Sequence, residues 1–286
     1  MHKFPDIPMV EIGPGSQVDE GEGELTYMET PGQMETYHQP VMPEPEDVGD
    51  ISLGKMLLEE ILMALYQYQA GKPAKSFDME HMGAQDVDFV NQALGEGEVS
   101  VSFDGASPIR AQESVLAGVW RVQHFDAHDN VVRDTIEVGD IPHMVRNFTF
   151  ANARKTVDTA FDQNNPMIQN APALLTEIAD HMAEYKSGDP AHAINMTLLP
   201  LTEDDVLLLG ERMGVGPVTI LSRGYGNCRI GSTSQQDVWW IKYFNSEDKL
   251  ILNSIEIVDV PEVCLAAPED IADSAERLNE ILELYR

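Results

Sequence analysis

Apolar residues recur along the chain at two spacings, and each spacing predicts one kind of element. Spacings of three and four residues predict amphipathic helices over residues 53–69, 85–94, 173–186 and 203–213. Alternation of apolar and polar residues predicts strands in VSVSF, VWRVQHF, VVRDTIEV, VTILS, CRIGSTS, VWWIKYF and KLILNSIEIV. Because such strands bury one face each, they suit an antiparallel sheet. The fold class predicted is therefore α+β.

A last helix is predicted over residues 268–286, because a proline and acidic residues open it. Its apolar residues share one face: Ile271, Ala275, Leu278, Leu282 and Tyr285. We expect this face to cover the exposed edge of the second repeat, which is defined below. Docking of a partner on the same face is the alternative.

The pattern of elements occurs twice. Residues 86–142 align without a gap with residues 205–261, 119 positions further along, and the preceding helices align at a spacing of 117. Both copies keep the pairs Gly95/Gly214, Gly97/Gly216, Arg110/Arg229, Trp120/Trp239, Phe125/Phe244 and Glu137/Glu256. A tandem duplication is predicted, in which each copy has two helices and an antiparallel sheet. The tryptophans Trp120 and Trp239 should then occupy equivalent core positions.

Composition divides the chain into segments. Residues 1–50 are rich in acids, proline and glycine, contain Lys3 as their one basic residue and show no regular period, so a disordered tail is predicted. The first repeat is placed at residues 51–146 and a connecting segment at residues 147–167. The second repeat is placed at residues 168–264 and the C-terminal helix segment at residues 265–286.

The net charge limits the class of partner. With 49 acidic and 18 basic residues the formal charge is −31, which disfavours nucleic acid and anionic membranes and favours a basic partner segment. Solubility in a salty cytoplasm is an alternative reason for the charge. Two cysteines, no signal-peptide pattern and no long apolar run predict a cytoplasmic protein without a disulfide framework.

The charges that both copies keep predict structural ion pairs. Arginine next to a buried carboxylate favours bidentate pairing. The expected partners are Glu137 or Asp140 for Arg110, and Glu256 or Asp259 for Arg229.

The two copies differ sharply where FDGASPIR becomes SRGYGNCR. This second segment is predicted to be an accessible partner-binding loop beside a groove, with Trp240 nearby. Its residues are Ser222, Arg223, Gly224, Tyr225, Gly226, Asn227, Cys228 and Arg229.

Equivalent positions predict the orientation of three of these side chains. Ile109 occupies the position of Cys228, so we expect Cys228 to be buried as a small apolar side chain. Asp104 and Ala106 occupy the positions of Arg223 and Tyr225, which we therefore expect to be exposed. The alternative for Cys228 is a partly exposed thiol whose pKa is lowered by a neighbouring arginine.

Other chemistry is sparse in the sequence. His124 and His128 are four residues apart across a strand end and a turn, a spacing that is ambiguous for a metal. Neither a Ser–His–Asp arrangement nor a phosphate-binding glycine loop can be recognised. We therefore predict no catalytic residue, no cofactor and no metal site, and a protein that is not an enzyme.

One long stretch carries a family resemblance. Residues 216–263, GPVTILSRGYGNCRIGSTSQQDVWWIKYFNSEDKLILNSIEIVDVPEV, resemble the C-terminal signature of the HupH/HyaF/HoxQ family of hydrogenase expression/formation proteins. The resemblance implies a cytoplasmic chaperone for the iron–sulfur small subunit precursor of an uptake NiFe hydrogenase, acting before twin-arginine export. It also implies a thioredoxin-like companion protein and no established catalytic reaction.

Three functions stay open from the sequence. The first is a non-catalytic chaperone that binds the precursor through residues 222–229 and Trp240. The second is a thiol-dependent iron–sulfur carrier or protective redox protein that uses Cys228. Because clusters are usually held by four cysteines, the first is favoured. The third is an interaction protein whose acidic tail and helix faces recruit a companion.

Overall fold

Helices and strands follow one another in the same order in the two halves of the chain. The computed structural model describes residues 51–223 and 227–285. The predicted acidic tail over residues 1–50 and the loop residues Gly224, Tyr225 and Gly226 lie outside the described residues.

The first half contains two of the predicted helices and five strands. They are α1 (Ser52–Tyr66), β1 (Lys75–Asp78), α2 (Ala84–Leu94), β2 (Val99–Phe103), β3 (Ile109–Glu113), β4 (Val119–Phe125) and β5 (Val131–Val138). A short helix α3 (His143–Phe148) follows and spans the predicted boundary after residue 146. The sequence pattern predicts neither β3 nor α3, because IRAQE has only two apolar residues and α3 is too short to show a period.

The second half repeats this order. It contains α4 (Ala171–Glu184), β6 (His192–Asn195), α5 (Glu203–Met213), β7 (Val218–Ser222), β8 (Asn227–Ser232), β9 (Val238–Phe244) and β10 (Leu250–Ile257). Two short 3-10 turns lie at Met196–Leu198 and Glu262–Cys264, and α6 (Pro268–Glu283) ends the fold. Across the described residues, no helix combines the length and the apolar character that crossing a membrane requires.

All ten strands form one antiparallel sheet. Its strand order is β1-β5-β4-β3-β2-β7-β8-β9-β10-β6, so the order in the first half is mirrored in the second. The halves meet where β2 pairs with β7. Val101 lies opposite Ile220, its equivalent residue, and Val99 and Phe103 lie opposite Ser222 and Val218. The joint is therefore symmetric in register about Val101 and Ile220.

The two faces of the sheet are covered differently. On one side, which we call the helix face, α1, α2 and α6 cover one end of the sheet and α4 and α5 cover the other. On the opposite side, the back face, a third core joins the central strands to α3 and to Cys264. Alternation along each strand sends successive side chains to opposite faces. The back face is thus apolar at the centre of the sheet, where the helix face has no core.

The C-terminal helix does not lie where the sequence predicts. Its apolar face is buried as expected, and Leu278 and Leu282 have no exposed surface. However, α6 packs on α1 in the core of the first half rather than on the edge of the second. The physical reason is an anchor before the helix begins, since the backbone N–H of Ala266 donates to the carbonyl oxygen of Asp140 at 2.9 Å.

The two tryptophans occupy equivalent buried positions, as predicted. Trp120 and Trp239 have no exposed surface and both belong to the back-face core. The ring N–H of Trp120 donates to the carbonyl of Gly139 at 3.0 Å. That of Trp239 donates to the carbonyl of Val258, the equivalent residue, at 3.1 Å.

The repeated Gly-x-Gly motif follows from backbone geometry at the ends of α2 and α5. Gly95 has φ 56° and Gly214 has φ 65°, with ψ near 180° in both, a region that only glycine enters readily. Two residues later, a Cβ on Gly97 would lie 2.3 Å from the carbonyl oxygen of Ser114. A Cβ on Gly216 would lie 2.4 Å from a carbonyl oxygen in the same way. Both glycines of each motif are therefore required by the fold.

Candidate functional site

Arg110 and Arg229 lie on the helix face and do not make the predicted ion pairs. The guanidinium of Arg110 lies over the ring of Phe125, 4.6 Å from its centroid, and its Nη2 is 3.2 Å from Asp129. The guanidinium of Arg229 lies over the ring of Phe244, 5.3 Å from its centroid. Phe125 and Phe244 are equivalent residues, so both halves keep an arginine–phenylalanine stack rather than a buried salt bridge.

Strand alternation explains why the ion-pair prediction was wrong. Ile136 and Ile255 belong to the helix-face cores, so Glu137 and Glu256, one residue further, point to the back face. The other acids are engaged elsewhere. The carboxylate of Asp140 lies 2.8 Å from Arg146, and that of Asp259 accepts from the Ser187 hydroxyl at 2.6 Å.

Cys228 is buried on the back face, as the comparison with Ile109 predicts. Its side chain belongs to the core that contains Trp239 and Cys264, and it is 4% exposed. Burial raises the pKa of its thiol to about 11, which outweighs a lowering hydrogen bond with Tyr243. Burial also raises the pKa of Cys264. Neither thiol is activated by an arginine, because Arg229 points to the opposite face.

The structure describes both ends of the predicted loop, residues 222–223 and 227–229. Ser222 ends β7 and lies opposite Cys228 in β8. Arg223 follows with an exposed side chain, as predicted, and its backbone N–H donates to the carbonyl of Glu98 at 3.1 Å. Asn227 is exposed and its side-chain amide donates to Asp248 at 3.0 Å. The exposure predicted for Tyr225 concerns a residue outside the described ranges.

Trp240 lies on the same face as Arg229. Its ring N–H donates to the Asn253 side chain at 2.6 Å, and the Lys242 ammonium lies over its ring, 5.1 Å from the centroid. We call the set Arg229, Trp240, Lys242 and Phe244 the cationic face. These four side chains come from β8 and β9 and are exposed or half-buried.

Two cations of this face lie directly opposite each other. Arg229 pairs with Lys242 in the register of β8 and β9, and both side chains point to the helix face. Burial, and then the charge of Arg229, lower the pKa of Lys242. Within residues 51–223 and 227–285, neither side chain has a carboxylate within ion-pair distance. In a chain with a formal charge of −31, this unneutralised pair is unusual.

The same positions in the first half are neutralised. Arg121 and Gln123 replace Trp240 and Lys242, and Asp134 replaces Asn253. Asp134 holds Arg121 through two bonds of 3.1 and 2.7 Å and also accepts from Gln123 at 3.0 Å. At these positions each half has one cation, but the second half has an asparagine in place of the acid and a tryptophan in place of the paired arginine.

A shallow groove lies beside the cationic face, over the helix-free centre of the sheet. Its volume is about 340 Å³. Five polar side chains and one apolar side chain point into it, because β2, β3 and β7 turn most of their apolar residues to the back face; they are Ser100, Ser102, Arg110, Gln112, Thr219 and Leu221. Arg223 follows β7 directly, so the predicted loop begins at the end of a strand that lines the groove.

Sequence reasoning named Arg229 and Trp240 but missed Lys242 and Phe244. Comparison of the copies would have found Lys242, since Gln123 and Asp134 become Lys242 and Asn253 together. His124 and His128 do not join a third metal-ligating side chain. Among the described residues, the group of at least three such side chains lies elsewhere, at Glu177, His181 and His192.

Comparison with known proteins agrees with the family resemblance. The family described as HupH hydrogenase expression protein, C-terminal conserved region, matches residues 52–158 and 168–285. The hydrogenase expression/formation protein HoxQ of Cupriavidus necator is 41% identical over 284 residues, covering 99% of this chain and 98% of that protein. The hydrogenase expression/formation protein HupH of Rhodobacter capsulatus is 43% identical over 280 residues, covering 98% of each.

A solved structure also matches part of the chain. Hydrogenase expression protein HupH from Thiobacillus denitrificans is 30% identical with a TM-score of 0.38, covering 40% of this chain and 95% of that one. The family match in both halves and the relatives above 40% identity along nearly their whole length are conclusive for the family. The chain belongs to the HupH family of hydrogenase expression proteins.

Proposed function

We propose that the chain is a non-catalytic maturation chaperone that binds the iron–sulfur small subunit precursor of an uptake NiFe hydrogenase before twin-arginine export. The relatives are named hydrogenase expression/formation proteins, which supports a role in hydrogenase maturation. The small subunit as target and a thioredoxin-like companion as second partner come from the family resemblance.

The observation that carries the proposal is the unneutralised pair Arg229 and Lys242. Two cations in register repel each other, which favours an added anionic or strongly polar group between them. A carboxylate or a backbone carbonyl of the precursor would supply that group through charge-assisted hydrogen bonds. Trp240 and Phe244 add apolar surface of the kind that is enriched in protein interfaces.

The predicted loop extends this surface. Residues 222–229 begin at the groove and end at Arg229 on the cationic face. In this proposal Arg223 and Tyr225 contact the precursor, Asn227 offers hydrogen-bonding groups, and Gly226 allows close approach of its backbone. Ser222 and Cys228 hold the two strands in register beneath the loop.

The acidic charge of the rest of the chain suits the basic leader of the same precursor. A twin-arginine leader is basic, and a chain of charge −31 attracts it over distances up to about the Debye length of ~8 Å at physiological salt. The cationic face then meets the folded part of the precursor while the acidic surface attracts its leader.

The iron–sulfur carrier with Cys228 as its ligand is the second candidate. The buried position of the thiol and its pKa of about 11 disfavour it, since the thiolate is the form that ligates iron. The third candidate, recruitment through the acidic tail, predicts that the cationic face is dispensable.

We also propose that the two halves arose by tandem duplication. The mirrored strand order, the symmetric β2–β7 joint and the family match to two segments support this origin. One copy then kept the neutral Arg121–Asp134 arrangement while the other acquired the cationic face.

The test is capture of the precursor from hydrogenase-expressing cells by a tagged chain, measured by quantitative mass spectrometry of precursor peptides. The Arg229→Gln, Lys242→Gln double variant should capture at least about tenfold less, because a hydrogen bond to a charged group contributes about 1.5–3 kcal/mol. Arg133→Gln, which removes an exposed ion pair with Asp78 in the first half and lies outside the groove, should capture as the wild type does.

Two further arms separate the candidates. The tail hypothesis would be supported instead by two results together. Removal of residues 1–50 would abolish capture, and the double variant would still capture normally. Iron–sulfur absorption of the purified chain that disappears in Cys228→Ala would support the carrier hypothesis.

A further inference from the structure

Three metal-ligating side chains meet at the outer end of the second half, where β6 lies two strands from β9 of the cationic face. Glu177 and His181 lie one turn apart on α4, and His192 begins β6, the edge strand. The Nε2 atom of His192 is 2.8 Å from Oε1 of Glu177. The rings of His181 and His192 stack with centroids 3.4 Å apart and 12° between their planes.

The same three positions exist in both halves of the fold, but only the second half has both histidines. His192 lies opposite Ile257 in β10, just as Lys75 lies opposite Val138 in β5. The equivalent residues in the first half are Glu60, Ala64 and Lys75. The glutamate is thus common to both halves, whereas the two histidines occur in the second half alone.

Core packing does not account for the histidines. Neither belongs to the hydrophobic core beneath α4, and both are partly exposed, as is Glu177. Ala64, by contrast, is buried in the core of the first half. The second half therefore places two imidazoles and a carboxylate where they contact solvent and each other.

We propose that Glu177, His181 and His192 bind one divalent transition-metal ion of the Zn²⁺ class. Imidazole nitrogen and carboxylate oxygen are suitable ligands for Zn²⁺, and two histidines with one glutamate leave a coordination position open. One ligand atom from each residue already lies within 4.8 Å of the others. A tetrahedral ion with ligands at about 2.0–2.2 Å needs separations of roughly 3.4 Å. The widest pair must therefore close by at most about 1.4 Å, whereas Nε2 of His192 and Oε1 of Glu177, 2.8 Å apart, must separate slightly.

The adjustment is open to these side chains. The two imidazole rings are stacked and nearly parallel. One ring must therefore rotate before a nitrogen of each ring can face the same ion. Partial exposure permits that rotation without disturbing the core. The ion takes the place of the hydrogen between Nε2 of His192 and Glu177, and the neutral imidazole then carries its one proton on Nδ1.

A metal at this place links the helix to the edge strand. Since α4 supplies two ligands and β6 the third, a bound ion stabilises the folded second half relative to the unfolded chain. The site does not depend on the proposed chaperone function and involves none of the residues of the cationic face.

The experiment is a calorimetric titration of the chelator-treated full chain with ZnCl₂, combined with thermal unfolding with and without Zn²⁺. The wild type should bind one ion at this site and unfold at a higher temperature with Zn²⁺ present. The His181→Ala, His192→Lys double variant carries the residues of the first half at both positions, so the repeat tolerates them. Its affinity should fall at least about tenfold, the smallest loss typical for disrupted metal sites.

Two controls make the result decisive. Glu177→Gln keeps an oxygen that accepts from His192 but removes the ligand charge, and should weaken Zn²⁺ binding while leaving the unfolding temperature without metal unchanged. His128→Ala, in an exposed turn, should bind as the wild type does. Equal Zn²⁺ affinity of the double variant and the wild type would overturn the proposal, as would a titration in which the wild type binds no Zn²⁺.

Discussion

The guanidinium of Arg229 lies over the ring of Phe244, 5.3 Å from its centroid, and this contact explains why the arginine is common to both halves. Arg110 lies over Phe125 in the same way at 4.6 Å. In each case the phenylalanine ends the strand next to the arginine. The stack holds the arginine on the helix face. The charges of the neighbouring side chains then determine whether the arginine is neutralised. Asp129 neutralises Arg110, whereas Lys242 lies beside Arg229.

Lys242→Gln gives the second half the residue that the first half has at position 123. We expect the free energy of unfolding to change by less than about 1 kcal/mol. Removal of a cross-strand repulsion of about 0.2–1 kcal/mol offsets loss of a cation–π contact of about 0.5–1 kcal/mol. Urea unfolding followed by tryptophan fluorescence measures this, and capture of the precursor should fall although stability does not.

The matched control is Gln123→Lys in the first half. There Asp134 already binds Arg121 and Gln123, so the added cation meets an acid and should not create a second capture site. If Lys242→Gln lowered stability by more than about 2 kcal/mol, reduced capture would reflect misfolding rather than lost contacts.

Most elements of the fold could be predicted from sequence because most of the apolar patterns occur twice along the chain. The helix over residues 203–213 and the strand VWWIKYF agree with α5 and β9 residue for residue. The strand β3 could not be predicted because its apolar pattern is weak. The sheet order could not be predicted either, since the β2–β7 joint depends on which edges of the two copies meet.

The candidate site was predicted only in part, for a reason that lies in strand alternation. Because both halves contain the arginine and the glutamate, the sequence suggested an ion pair between Arg229 and Glu256. The two side chains instead lie on opposite faces of the sheet, since successive residues of a strand alternate between the faces. The burial of Cys228 was predicted correctly because Ile109, at the equivalent position, is an apolar residue on the same face of the sheet. Lys242 belongs to the site through its register with Arg229, which the sequence alone does not contain.

Leu278→Ala tests the unexpected position of α6. Leu278 has no exposed surface and packs in the core of the first half. Loss of a buried leucine side chain costs about 2–5 kcal/mol, and hydrogen exchange should increase mainly in α1 and α2. Leu284→Ala, at a residue of which 63% is exposed, should change stability by less than about 0.5 kcal/mol. Increased exchange confined to β6 and β10 would place the helix on the second half instead.

Glu113→Gln tests the pH dependence of stability. Burial raises the pKa of Glu113 from 4.5 to about 7, and the Gly118 N–H only partly opposes this. Because the folded state favours the protonated acid, the wild type loses stability as pH rises from the unfolded pKa through about 7. At pH 8 the loss is on the order of 3 kcal/mol.

The variant cannot ionise, so it should be more stable than the wild type at pH 8 and about equally stable near pH 5. Urea unfolding at both pH values measures the difference. Glu96→Gln, at an exposed glutamate of the groove, is the surface control and should change stability by less than about 0.5 kcal/mol. A stability difference between Glu113→Gln and the wild type that is the same at both pH values would contradict a titration of Glu113 in this range.

Cys228→Ala separates a packing role for the thiol from a chemical one, with Cys264→Ala as its matched control. Both cysteines are 4% exposed and lie in the same back-face core. If both serve packing, each alanine variant should lose about 1–2 kcal/mol of stability and still capture the precursor at a temperature where it is folded. Because burial holds the Cys228 thiol at a pKa of about 11, iodoacetamide should also label it slowly in the native chain and quickly in urea. A capture defect in Cys228→Ala that Cys264→Ala does not share, at equal stability, would instead assign chemistry to Cys228 and would favour the iron–sulfur carrier.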